Sequence, residues 1–134
     1  MALPINCLIV DDDIDDQEIF AIAVRELKQP YNCNYILSAI DALELLKTSA
    51  IPDYIFLDFN MPKMNGMECL IEIKKMSHLS HIPVVIYSTS SGQNFIDEAL
   101  KNGAVAFITK PPRISDLVMI LKNFFAQHEK SETN

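Results

Sequence analysis

The chain has 134 residues, 49% of them hydrophobic, which suits one domain with a sizeable buried core. Three glycines and seven prolines exclude a low-complexity or collagen-like chain. A net charge of −7 argues against the basic face that nonspecific nucleic-acid binding requires. No apolar run approaches the roughly 20 residues of a membrane span, and no basic region followed by an apolar stretch opens the chain, so a soluble cytoplasmic protein is expected.

Strand and helix signals alternate five times. Ile5 to Val10 is an apolar, β-branched run stopped by Asp11. Asp15-Asp16-Gln17-Glu18 opens a helix with acids suited to the positive end of its dipole. Ile19, Phe20, Ala23, Val24 and Leu27 form its apolar face, and Gln29-Pro30 ends it. Tyr31 to Ser38 reads as a second strand, and Asp41 to Thr48 as a short helix burying Ala42, Leu43 and Leu46. Ile51-Pro52-Asp53 breaks the chain before a third strand, Tyr54 to Asp58, and a helix from Gly66 to Met76 follows. Val84 to Ser88 is a fourth strand. Phe95, Ile96, Ala99 and Leu100 place an apolar stripe on the next helix, which Gly103 caps. Val105 to Thr109 is the fifth strand, and Ile114, Leu117, Val118, Leu121, Phe124 and Phe125 mark a strongly amphipathic last helix. Ala126 to Asn134 reads as a polar tail.

Short strands that are apolar nearly throughout suit a parallel sheet covered on both faces. Their alternation with helices predicts a doubly wound α/β domain, with no second domain, linker or repeat. Cys7, Cys33 and Cys69 are odd in number and lie in apolar contexts, as buried reduced thiols do. His78 and His81 form an H-x-x-H pair in a polar loop, where no third metal ligand is near in sequence, and His128 falls in the tail.

Ligands of such sheets bind beyond the carboxyl ends of the strands, where the winding reverses. Strand one ends in Asp11-Asp12-Asp13, strand three in Asp58, strand four in Ser88-Thr89 and strand five in Thr109-Lys110-Pro111. Asp13, Asp15 and Asp16 read as solvated or capping groups. Singly, Ser88 would be a turn residue and Lys110 a surface lysine, but their convergence with Asp11, Asp12 and Asp58 changes the reading. Two carboxylates about 4 Å apart repel by about 4 kcal/mol at an effective dielectric near 20. Either one of the acids stays protonated or a cation sits among them. All-oxygen ligation favours Mg²⁺. An aspartate beside such an ion, with a lysine and a hydroxyl opposite, can attack phosphorus and form an acyl phosphate.

These residues resemble the receiver domain of two-component response regulators, of the stand-alone, chemotaxis-regulator-like type. The resemblance runs from Cys7 to about Phe125. It rests on Val10-Asp11-Asp12, on Leu57-Asp58 followed by Met61-Pro62 and Gly66, on Ser88, and on Lys110-Pro111. It implies a five-stranded parallel sheet of order 2-1-3-4-5 with five helices. It implies that Asp58 accepts a phosphoryl group from a sensor histidine kinase or phosphotransfer protein. Asp12, Asp58 and the Asn60 backbone carbonyl would ligate Mg²⁺, with Asp11 acting through a metal-bound water. Lys110 would pair with the phosphoryl oxygens, Ser88 would swing towards them, and Phe107 would follow as an aromatic switch. A cis Lys110-Pro111 bond is expected by the same analogy. Output would be a change of surface from about Gln93 to Phe125, read by a protein target that the sequence does not identify. The protein would be a monomer or weak homodimer and a signalling phosphoacceptor rather than an enzyme.

The chain departs from the common pattern at three positions. Ser88 replaces the more frequent threonine but keeps the hydroxyl. Thr89 is larger than usual, which implies narrower access to phosphorus and slower dephosphorylation. Pro112 replaces a frequent aromatic. The acidic run from Asp11 to Asp16 resembles a stand-alone subgroup.

Three other readings compete. A metal-dependent phosphatase would use Asp11 and Asp13 as a D-x-D pattern, but there is no room for a substrate-holding cap. A flavodoxin-like nucleotide binder would need a phosphate loop where this chain has three aspartates. A phosphorylation-independent pseudo-receiver would have lost a site residue, and none is missing.

Overall fold

The computed structural model describes residues 4–48, 51–90 and 92–128. Five strands and five helices alternate: β1 (Ile5–Val10), α1 (Ile14–Glu26), β2 (Tyr31–Ile36), α2 (Ala39–Leu46), β3 (Tyr54–Leu57), α3 (Gly66–Lys75), β4 (Val84–Ser88), α4 (Gln93–Lys101), β5 (Ala106–Thr109) and α5 (Ile114–His128). All strand pairs are parallel, in the order β2-β1-β3-β4-β5. The expected doubly wound sheet is therefore present, with the expected order.

Side chains alternate across a strand, so each apolar strand supplies two cores. Leu8, Val10, Ile55, Leu57, Val84 and Ile86 face one side, where α2 and α3 cover them with Leu46, Leu70 and Ile73. Cys7, Ile9, Tyr54, Phe56, Val85 and Tyr87 face the other, covered by α1 and α5 through Phe20, Leu117, Leu121, Phe124 and Phe125. Phe56 lies at the centre of this second layer. Its ring meets Phe20, Phe124 and Phe125 edge-on at centroid distances of 5.1, 5.7 and 6.0 Å.

Helix starts are set by side-chain caps. The Asp13 carboxylate accepts from the Asp15 and Asp16 backbone N–H groups, so α1 begins at Ile14. Ser38 does the same for α2, which starts two residues before the sequence expectation. Asn65 and Glu68 form a reciprocal capping box at α3.

Three expectations need correction. The stripe on α4 is only partly covered: Ala99 is buried, but Phe95 and Leu100 are 38% and 48% exposed. The helix lies towards the β5 edge of the sheet, where less sheet surface is available to cover it. The last helix also runs on through His128, whose carbonyl accepts from the Tyr54 hydroxyl at 2.6 Å, so the tail does not begin at Ala126. The rest of the expected tail lies outside the described residues. Finally, no described peptide bond is cis, so Lys110-Pro111 is trans. Trans is the lower-energy form even before proline. The Lys110 N–H donates to the Ser88 carbonyl at 2.8 Å.

The three cysteines are free thiols. Cys7 and Cys69 are buried, and Cys33 is half-buried beside Cys7 in the β1–β2 register. Burial pushes the Cys69 thiol up to about 12, which suits an inert thiol. His78 sits on a short 3₁₀ turn with Nε2 2.8 Å from the Leu46 carbonyl, and His81 is exposed. Truncating the ring at the centre of the aromatic layer, Phe56→Ala, is expected to cost about 3–5 kcal/mol. A urea-unfolding midpoint unchanged from wild type would contradict that packing.

Candidate functional site

The sheet order sets β1 beside β3, so the residues that follow them meet at one edge. Val10 is in register with Leu57, and the Asp58 N–H donates to the Val10 carbonyl at 2.9 Å. On the other side of β1, the Asp11 N–H donates to the Ile36 carbonyl at 3.0 Å. Gln17 of α1 strengthens this corner, its amide donating to the carbonyls of both Asp11 and Ile36 at 2.9 and 3.0 Å. Sequence reading missed Gln17 because its partners belong to two other elements.

Carboxylate oxygens of Asp11, Asp12 and Asp58 lie within 4.8 Å of one another. Asp11 and Asp58 are buried and Asp12 is exposed. Lys110, from the end of β5, has a side chain only 8% exposed and reaches all the way to this group. Its Nζ lies 2.9 Å from Asp11 Oδ2 and 3.3 Å from Asp58 Oδ1, and 5.1 Å above the Tyr87 ring. A third acid holds it as well: Asp16 Oδ2 is 2.8 Å away. Asp16 had read as a solvated or capping residue; the structure makes it an ion-pair partner instead. The correction has a simple cause, since the first turn of α1 faces the end of β5, 94 residues away in sequence.

Burial dominates the electrostatics. It pushes the Asp58 carboxyl up to about 6, although Lys110 pulls it down; Asp11 and Asp12 add to the rise. Burial also raises Asp11, opposed by the Asp13 N–H and by Lys110. For Lys110 burial favours the neutral amine, but the hydrogen bonds to Asp16 and Asp11 outweigh it and hold the ammonium charged. The lysine thus offsets only part of what burial and the neighbouring acids cost these carboxylates.

The loop after β3 is shaped by a close approach. Gly66 donates to the Phe59 carbonyl at 2.9 Å, and a Cβ at this position would overlap the Asp58 carbonyl. The loop is tied to the end of β4 through Ser90. Asn60 Nδ2 donates to Ser90 Oγ at 3.1 Å, and the Ser90 N–H donates to the Ser88 hydroxyl at 3.2 Å. Ser88 is fully buried, and Phe107 is half-buried against the core layer that α2 and α3 cover. Ser90, also missed in the sequence, thus couples the two loops that flank the acids.

Asp11, Asp12, Asp58 and Lys110 meet at one edge of the sheet, while Phe107 lies within β5, opposite Ile86. Three oxygen donors in such proximity, with surplus negative charge, fit a small hard cation. Among the described residues no other group of three acidic, His or Cys side chains has this geometry.

The raised Asp58 carboxyl has a consequence for stability. The unfolded chain ionises this acid near pH 4, while the folded chain holds the proton until about pH 6. Stability linked to Asp58 is therefore present at low pH and is lost as pH rises from about 4 to about 6. Asp58→Asn is expected to stabilise the metal-free protein by about 1–2 kcal/mol at pH 7.5, with the gain vanishing near pH 4. Urea unfolding across this range tests it; a loss of stability at pH 7.5 would contradict it.

Comparison with known proteins agrees with this geometry. Residues 7–122 match the family model described as the response regulator receiver domain. The two-component response regulator ORR6 of Oryza sativa subsp. japonica is 40% identical over 114 residues, which span 84% of this chain and 66% of that protein. ORR12 of the same organism is 34% identical over 116 residues, spanning 87% of this chain and 94% of its own length. The crystal structure of the phosphorylated cyanobacterial phytochrome response regulator RcpA superposes with a TM-score of 0.86 at 27% identity, covering 98% of this chain and all of that one. The Mn²⁺-bound form of response regulator Rcp1 shares the fold, with a TM-score of 0.84 at 24% identity over 97% of this chain and 98% of that one. The chain thus belongs to the response regulator receiver domain family of two-component systems.

Proposed function

We propose that Asp58 is the phosphoacceptor of this receiver and takes its phosphoryl group from a phosphohistidine of a sensor histidine kinase or phosphotransfer protein. The observation that carries this reading is the meeting of Asp11, Asp12 and Asp58 within 4.8 Å, with Lys110 Nζ 3.3 Å from Asp58 Oδ1. Asp12, Asp58 and the Asn60 backbone carbonyl would hold Mg²⁺, with Asp11 acting through a water. The ion would supply the positive charge that lets an anionic donor approach.

Asp58 then attacks phosphorus through a carboxylate oxygen. The new P–O bond forms as the P–N bond to the donor imidazole breaks, and the imidazole leaves with the bonding electrons. Lys110 donates to a phosphoryl oxygen from the position it already occupies. Ser88 gives up its contact with the Ser90 N–H and turns to the phosphoryl group, and Phe107 follows into the space beside it. Thr89, exposed just beyond Ser88, narrows the approach of hydrolytic water. The protein acts as a signalling phosphoacceptor in the cytoplasm rather than as an enzyme on separate substrates. Its output passes to a protein target over α4, β5 and α5, where Leu100, Val105 and Met119 are exposed.

Incubation with Mg²⁺ and acetyl phosphate is expected to add one phosphoryl group to the intact mass, and Asp58→Asn is expected to abolish the gain. No gain in wild type, or a gain that survives Asp58→Asn, would overturn this reading and favour a phosphorylation-independent interaction module.

A further inference from the structure

Lys110 is shared unequally among its acids. Its Nζ is 2.8 Å from Asp16 Oδ2 and 2.9 Å from Asp11 Oδ2, but 3.3 Å from Asp58 Oδ1. An ammonium has three N–H donors, and here three carboxylates surround it. The two shortest contacts belong to groups other than Asp58. Asp16 and Asp11 differ in kind, however. Asp11 belongs to the Asp11–Asp12–Asp58 group, so a cation bound there would draw its charge away from the lysine. Asp16 lies outside that group, at the solvent side of the pocket with its side chain 29% exposed. Its backbone is fixed by the Asp13 cap, which receives the Asp16 N–H at 3.3 Å. A cation among the other three would therefore leave Asp16 where it is, still holding Lys110.

The geometry points to Asp16 as a positioning residue that competes with the incoming phosphoryl group for Lys110 and so slows phosphorylation of Asp58. This inference rests on the phosphoacceptor reading above. While Asp16 holds one N–H of the lysine, that donor is withheld from the phosphoryl oxygens. Its negative charge also cancels part of the field that draws an anionic donor into the pocket. Asp16 makes and breaks no bond in the transfer. With acetyl phosphate, the Asp58 oxygen bonds to phosphorus as the bond from phosphorus to the acyl oxygen breaks and acetate departs with the electron pair.

The test is the second-order rate constant for phosphorylation by acetyl phosphate, with Mg²⁺ high enough that the wild-type rate no longer rises. Asp16→Asn keeps an oxygen that can accept from Lys110 but removes the charge, Asp16→Ala removes both, and Asp16→Glu keeps the charge. Asp16→Asn and Asp16→Ala are each expected to react about fivefold faster than wild type. Asp16→Glu is expected to stay close to wild type, which a purely structural role would not produce. Because the pocket opens to solvent, the advantage of Asp16→Asn should shrink as NaCl is raised. A rate for Asp16→Asn equal to or below that of wild type, or a gain indifferent to salt, would overturn the role of Asp16 alone. Failure of wild type and every variant to be phosphorylated would overturn the phosphoacceptor reading and this inference with it.

Discussion

The constraint on which the structure turns is surplus negative charge at one buried edge. Asp11, Asp12 and Asp58 are drawn within a single ligand sphere, and the buried Lys110 that pairs with Asp11 and Asp58 is also claimed by Asp16. In water such a cluster would cost little. In a site where Asp58 is 6% exposed, each ionised acid is held against desolvation and against its neighbours. Burial therefore pushes the Asp58 carboxyl up to about 6, a cost that a divalent cation among the acids would offset.

The rest of the fold keeps that cluster in place. Parallel strands buried on both faces deliver their carboxyl ends to the same edge, and the aromatic layer around Phe56 clamps α1 and α5 behind it. Local devices then fix the loops. Gly66 lets the chain pass against the Asp58 carbonyl, Gln17 ties the ends of β1 and β2, and Ser90 joins Asn60 to Ser88. The loops after β3 and β4 are thus tied to each other through Asn60, Ser90 and Ser88, beside the acids.

Much of this was legible in the sequence, for a physical reason. A two-sided sheet needs apolar strands, and polar residues at their carboxyl ends, such as Asp11, Asp58, Ser88 and Lys110, stand out against them. Sequence and structure agree on β4 from Val84 to Ser88, because Pro83 marks its entry and polar residues mark its exit. Asp16, Gln17 and Ser90 were not legible as site residues, since each depends on the approach of elements far apart in the chain. Helical periodicity likewise recorded the stripe of α4 but not how little sheet surface lies beneath it. The same holds for the free thiols Cys7 and Cys33, which are neighbours through strand register, and spacing alone does not set register.

Titration of the Asp58 carboxyl carbon by NMR, with and without Mg²⁺, tests the charge argument at its centre. The account expects a midpoint near pH 6 in the metal-free protein, moving down once Mg²⁺ is added. A midpoint near pH 4 that Mg²⁺ leaves unchanged would contradict it.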